Sequence, residues 1–423
     1  MPDINPTPAL PQELYDAAME YLLPDLRTLR LCALVCRAWV PGARRLTHPT
    51  LHFPSHITPH TLRLLDLLEC PMCTLPPTTR RLVFAGSRLP IKPPDADWFR
   101  PFLRFRHRFL GVRALVFRDL DWDVLNSDGW EEFWDSADGS AAGETAEPPA
   151  AETGTSHPSA LQLETVSELV LDNVPFISFA NVMDTVCNLP QLERLKFCVP
   201  PDSPMLPADD LDWARIYVPP RGLRELEITD VKVPTWFANV LPEQVPRLRV
   251  LKLGAAIPLG HWTVGEMVHS VARSLEELHF TVTTQDDIDA ICERGLLRRT
   301  NLRHLRIAGL FNLYRKQRTF FDHVRACSEI LSAVPAYSLE NIVFEVAFVD
   351  YLLDGWTLMR DDASFWAELD MYLVGPAFPV LDEIKFVVHR DIRGITKKVL
   401  FPILPECVEE NLIQIEDVPL PQD

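Results

Sequence analysis

Beyond residue 78 the chain repeats one short arrangement of hydrophobic and polar positions: apolar, any two residues, apolar, any one residue, apolar. Copies run from Val112 to Phe117, Val166 to Leu171, Leu192 to Phe197, Leu223 to Ile228, Leu248 to Leu253, Leu275 to Phe280, Leu302 to Ile307, Leu339 to Phe344 and Leu381 to Phe386, with a weaker copy from Arg81 to Phe84. Measured between first apolar residues, successive full copies lie 54, 26, 31, 25, 27, 27, 37 and 42 residues apart. The closing apolar-x-apolar triplet has the period of a strand with both apolar side chains on one face. Stretches between copies, such as 179–189, 264–272 and 287–296, have helical periodicity. One strand-plus-helix unit of this size buries too little to stand alone, so the pattern predicts stacked copies sharing a core.

The first fifty residues follow a different rhythm. Leu14, Ala17, Ala18, Tyr21 and Leu22 fall at i, i+3, i+4, i+7 and i+8, one face of a helix. Pro11 suits the first helical position, where its missing N–H is not needed. Pro24 stops that helix and Asp25 is placed to cap the next. A second run carries Leu26, Leu29, Ala33 and Leu34; a third starts near Val35 or Cys36, presents Trp39 and ends by Pro41-Gly42. Three helices this short cannot bury all their apolar faces on one another. Leu10, Pro11, Leu14, Met19, Leu22, Val35 and Trp39 are therefore partly left over for a partner.

The order Leu10-Pro11-Gln12-Glu13-Leu14, then Tyr21-Leu22, then Leu34-Val35-Cys36-Arg37-Ala38-Trp39 closely resembles the F-box, over residues 8–50. The resemblance implies a three-helix module that docks on the Skp-type adaptor of an SCF (adaptor, cullin, F-box) ubiquitin ligase. It assigns the adaptor contact to Leu10, Pro11, Leu14, Leu22, Leu31, Val35, Cys36 and Trp39. Met19 stands where the family more often carries isoleucine, a volume-conserving change. Several copy intervals fall in the span of about 20–29 residues found in leucine-rich repeats. Unequal spacing and the lack of a recurrent asparagine after the strand make the array resemble the degenerate repeats of fungal F-box proteins.

The fold class that follows is α/β, an N-terminal three-helix F-box followed by an irregular leucine-rich-repeat-like α/β solenoid. The domains read as an F-box at 8–50, a linking helical segment at 51–77, the solenoid at 78–405 and a loose acidic tail at 406–423. The function implied is non-catalytic: the F-box holds the ligase, the solenoid holds a target protein, and transfer chemistry occurs elsewhere. The alternative is a scaffold that uses the same adaptor contact without promoting degradation.

Composition narrows the partners. With 47% hydrophobic residues the chain has material for a large core, and 38 prolines against 16 glycines suit many short elements with stiff turns. A net charge of −18, from 59 acidic and 41 basic residues, disfavours a nucleic-acid partner. No run reaches about 18 consecutive apolar residues, which argues against a spanning helix, and the first residues lack the pattern of a secretory signal. Nine scattered cysteines read as reduced thiols of a cytoplasmic and/or nuclear protein.

From Asp119 to Glu152 there are eleven acidic residues and no basic one, which predicts a disordered acidic insertion at about 126–159. Cys70 and Cys73 have metal-ligand spacing, and His48, His52, His56 and His60 recur every four residues, but Pro49, Pro54 and Pro59 break the helix that would align them. No glycine-rich phosphate loop or nucleophile elbow is present, and no cofactor is implied. The residues between the last two apolar positions of the copies are predicted to line one polar face. They are Val83, Val116, Val170, Lys196, Glu227, Lys252, His279, Arg306, Val343 and Lys385. Lys196, Lys252, His279, Arg306 and Lys385 are its candidate contacts to an acidic or phosphorylated target segment, with Glu225, Glu277 and Glu383 diluting the potential.

Overall fold

A computed structural model describes residues 11–35, 39–54, 58–86, 108–120, 165–174, 179–198, 219–229, 245, 247–254, 268–269, 271–282, 288–289, 292, 297, 300–309, 320–334, 337–347, 363–389 and 395–418. The chain forms two compact units, Met1–Ile177 with Asn188–Leu192, and Ser178–Cys187 with Glu193–Asp423. Both are mixed α/β with parallel strands. The predicted acidic insertion lies outside the described residues.

The first unit opens with α1 (Gln12–Glu20), α2 (Leu26–Val35) and α3 (Trp39–Thr47). Asp25 caps α2 as the sequence suggests: its carboxylate accepts the N–H groups of Arg27 at 3.1 Å and Thr28 at 3.0 Å, and the Thr28 hydroxyl at 2.6 Å. These interactions hold the Asp25 carboxyl below the usual carboxylate range, the Thr28 hydroxyl contributing most. The third helix does not end by Pro41-Gly42 but runs on to Thr47. Pro41 falls in its first turn, where no intrahelical N–H bond is lost. Met19, Leu29, Cys32 and Ala43 form the helical core, with Tyr15, Leu22, Ala33, Trp39 and Leu46 packed against it. Met19 is thus a core residue, not one left over for a partner.

After the helices come β1 (Thr50–Pro54), α4 (Pro59–Glu69), α5 (Leu75–Thr78), β2 (Arg81–Ala85), β3 (Ala114–Arg118) and β4 (Glu168–Asp172). A capping box between Thr58 and Thr61 starts α4. The segment expected at 51–77 as a linking helical segment therefore also holds most of a strand, β1, which pairs in parallel with β2. Strands β1 to β4 share one register, aligning Leu51, Leu82, Leu115 and Leu169, then Phe53, Phe84, Phe117 and Leu171. All eight are buried, and the phenylalanine rings stack at 5.4 and 5.2 Å between centroids.

The second unit carries α6 (Phe179–Cys187), β5 (Arg194–Cys198), β6 (Glu225–Thr229), β7 (Val250–Leu253), β8 (Glu277–Thr281) and β9 (His304–Ala308). There follow α7 (Phe320–Ala333), β10 (Asn341–Ala347), α8 (Ala363–Val374), β11 (Glu383–His389), α9 (Ile395–Ile403), α10 (Pro405–Glu409) and β12 (Ile413–Val418). Each strand from β5 to β12 pairs in parallel with the next. Of the three connecting helices read from the sequence, the first is α6; the other two fall largely outside the described residues.

Two devices recur where strands begin. The N–H groups of two successive residues donate to a single carbonyl of the preceding copy: Arg249 and Val250 to Arg224, Glu276 and Glu277 to Arg249, Arg303 and His304 to Glu276. The residue just before the first apolar position adds a hydroxyl bond to the first apolar residue one copy earlier. Thr165 donates to the Val112 carbonyl at 2.7 Å, Ser274 to Leu248 at 2.7 Å and Ser338 to Leu302 at 2.9 Å.

The acidic end is not loose. Its strand β12 pairs with β11, and the Ile384 N–H donates to the Leu412 carbonyl at 2.7 Å. The buried Asp370 carboxylate of α8 accepts the N–H groups of Glu406 at 2.8 Å and Cys407 at 2.9 Å, tying down the start of α10. Charge misleads here because Glu416 and Asp417 sit among Ile413, Ile415 and Val418 on a half-exposed strand, a place where acidic side chains are well solvated.

Candidate functional site

On α1 and the turn that follows it the inward residues are Tyr15, Met19 and Leu22, at i, i+4 and i+7. Of the stripe singled out from the sequence, Leu14, Ala17, Ala18 and Tyr21 point the other way and are exposed, while its fifth member, Leu22, turns inward. On α2, Leu29 and Cys32 face the core, while Leu31, Leu34 and Val35 form an outward i, i+3, i+4 stripe. Leu14, Leu31, Val35, Leu34 and Tyr21 are between 55% and 88% exposed, far from the burial their side chains favour. Covering each would contribute roughly 1.5–3 kcal/mol before ordering costs.

Of the residues that the resemblance assigned to an adaptor, Leu14, Leu31 and Val35 therefore present free apolar surface, and Pro11 is exposed just before α1. Leu22 and Trp39 are half-buried in the helical core instead, Trp39 tilted against Tyr15 at 5.8 Å between ring centroids. Leu10 and Cys36 lie outside the described residues. Tyr21 and Leu34 belong to the exposed stripes although they were not assigned to the contact. Their helical spacing from Leu14 and Leu31 was the available signal.

Close approach of α1 and α3 is permitted by Gly42, where an added Cβ would stand 2.6 Å from Asp16 Oδ1 and Met19 Cε. The Arg45 guanidinium reaches the Asp16 carboxylate of α1 at 3.3 Å, and the Arg44 guanidinium donates to the Thr74 hydroxyl.

The second candidate surface is the polar row of the strands. In the second unit Lys196, Glu227, Lys252, His279, Arg306, Val343 and Lys385 share one register row and are half-buried. Each of its five basic side chains meets a glutamate. Lys196 Nζ lies 2.5 Å from Glu227 directly across, Lys252 Nζ 2.6 Å from Glu225, and His279 Nε2 2.7 Å from Glu277. Arg306 Nε donates to Glu345 at 2.5 Å, and Lys385 Nζ lies 2.5 Å from Glu416. Cross-strand and diagonal neighbours on one face are within reach of long side chains, so this row is a lattice of ion pairs and not a field of free positive charge. In the first unit the equivalent Val83, Val116 and Val170 are buried against one another, so the predicted polar face does not extend there.

No protein-family model matches this chain. No curated protein matches it either.

Among the described residues no group of three or more metal-ligating side chains comes together. His48, His52 and His60 sit after α3, on β1 and on α4 respectively. The thiols of Cys292 and Cys327 are pushed up to about 11 and about 12, each chiefly by burial, and that of Cys407 is raised by burial and by Asp370. All three stay protonated at neutral pH, whereas a thiol acts as a nucleophile through its thiolate. No helix among the described residues is long and apolar enough to cross a membrane.

Proposed function

We propose that this protein is a substrate-recognition subunit of an SCF-type ubiquitin ligase. Its N-terminal three helices act as an F-box on a Skp-type adaptor, and the strand array is an irregular leucine-rich-repeat-like solenoid that carries a target protein. The observation that supports this reading is the pair of apolar stripes, Leu14 with Tyr21 and Leu31 with Leu34 and Val35, exposed on helices whose own core is already filled. They lie within the segment whose sequence resembles the F-box. The mechanism is proximity: holding the target beside the ubiquitin-charged enzyme raises the effective concentration of its lysines, and this chain performs no bond chemistry. The reading places the protein in the cytoplasm or nucleus, where the adaptor and cullin reside.

The test uses Leu31→Glu with Val35→Glu in the full-length protein. Both side chains point outward, so circular dichroism should be unchanged while calorimetric binding to a Skp-type adaptor is lost. Failure of the wild-type protein to bind adaptor would overturn the F-box reading. Adaptor binding without recovery of cullin in the same complex would overturn the ligase assignment.

A further inference from the structure

A cleft of about 310 Å³ lies at the start of strands β6, β7 and β8, lined by Arg224, Arg247, Arg249, Arg273, Ser274, Glu276 and Asn301. In a chain of net charge −18, the described residues that line it gather four guanidinium groups against one carboxylate. Glu276 reaches Arg249 at 3.6 Å. Arg224, Arg247 and Arg273 have no carboxylate partner among the described residues. This differs from the polar row of the strands, where every lysine, histidine and arginine named above is paired.

Several other donors around the cleft are committed. The N–H groups of Arg224, Arg249 and Glu276 each bond to the preceding copy at 2.8 Å. The Ser274 hydroxyl donates to the Leu248 carbonyl at 2.7 Å, and the Asn301 amide donates to the Arg273 carbonyl at 3.1 Å. A ligand here would be held chiefly by guanidinium forks. All four cations are arginine, the side chain whose planar fork bonds two oxygens at once. A carboxylate offers two oxygens and one charge; a phosphomonoester offers three terminal oxygens and a charge of about −1.5 to −2. The volume sits at the small end of ligand sites, right for one phosphorylated group with its nearest atoms.

We infer that the cleft formed by Arg224, Arg247, Arg249 and Arg273 binds a phosphomonoester, carried either by a phosphorylated protein side chain or by a small phosphorylated metabolite. It lies wholly within the second unit and stands whether or not the first unit binds an adaptor. An extended polyanion is disfavoured because a strand of diesters leaving so small a cleft meets a strongly acidic protein.

The test is titration of the full-length protein with inorganic phosphate, a hexose phosphate, and a short phosphoserine peptide beside its unphosphorylated form. It is repeated on R247Q/R273Q and on R247K/R273K. Phosphate-bearing probes should bind the wild type, and the unphosphorylated peptide should not. The glutamine variant should lose about tenfold or more, and the lysine variant should also weaken because charge survives without the fork. The tighter of hexose phosphate and phosphopeptide identifies the source. Both variants expose the changed side chains, so unaltered circular dichroism should accompany the loss. Equal phosphate affinity in wild type and glutamine variant would overturn the proposal, as would no binding of any phosphate probe. Tighter binding of single-stranded RNA than of every phosphomonoester, lost in the same variants, would make the cleft part of a polyanion surface instead.

Discussion

The Ser338 hydroxyl donates to the Leu302 carbonyl at 2.9 Å, reaching from the residue before one copy of the pattern to the first apolar residue of the copy before. Leu302 is fully buried, so losing this donor would leave its carbonyl with less than its share of partners. Ser338→Ala should cost about 1 kcal/mol of stability, measured as a lower urea midpoint at unchanged slope. An unchanged midpoint would mean that the backbone bonds alone align the copies.

Two glycines should respond in opposite ways to alanine. Gly309 follows β9 with φ of 83°, and an added Cβ would stand 2.1 Å from the Val282 carbonyl oxygen. Gly309→Ala should cost about 2 kcal/mol or more, since both the backbone conformation and a fixed backbone atom oppose it. Gly42→Ala meets only the tips of the Asp16 and Met19 side chains, and the gain in helix propensity offsets moving them, so its effect should stay within about 0.5 kcal/mol. Thermal unfolding of the two variants gives the comparison.

Acid should weaken the strand lattice. The hydrogen bond from His279 holds the Glu277 carboxyl below the ordinary 4.5, and that from Lys385 does the same for Glu416. A lowered folded value means that the stabilisation is complete above pH 4.5 and is lost as pH falls through the folded values. The urea midpoint should therefore fall between pH 6 and pH 3.5, and less steeply in Glu277→Gln. Identical slopes would show that these pairs do not contribute.

Removing residues 405–423 should lower the melting temperature by more than about 3 °C. The truncation uncovers Phe386 and Val388 on β11 and leaves the buried Asp370 carboxylate without the Glu406 and Cys407 N–H groups. A loose tail would give no shift.

Hydrogen exchange separates the two ends of the chain. With saturating Skp-type adaptor, residues 10–45 should gain strong protection and residues beyond 160 almost none, because a ligand protects what it binds by mass action. Even protection throughout would mean one cooperative unit; no change at residues 10–45 would count against the adaptor contact.

The strand register was legible because leucine, isoleucine or phenylalanine recurs at two fixed places in each copy, and burial allows only one alignment of them. The strand β1 was not, since Leu51 and Phe53 lack the earlier apolar residue that marks the nine full copies. The orientation of α1 was hidden for a different reason. Leu14, Ala17, Ala18, Tyr21 and Leu22 fit one helical face, but Tyr15, Met19 and Leu22 fit another with equal claim, and periodicity cannot say which faces inward. The ion pairs escaped notice because Glu225, Glu345 and Glu416 meet Lys252, Arg306 and Lys385 diagonally, a relation that appears only once neighbouring strands are aligned.

Leu115 aligns with Leu169 across 54 residues of chain, and Leu226 with Leu251 across 25, without any change of register. The connection length is thus uncoupled from the alignment, and loop closure makes each doubling of length cost only about 0.6 kcal/mol. Within a strand the opposite holds: deleting one residue turns every following side chain to the other face. A loss between Glu225 and Ile228 would swing Glu227 toward the position of Leu226. Tolerance to gained or lost residues should therefore change abruptly along this chain, from tens of residues in the connections to none inside the strands they join.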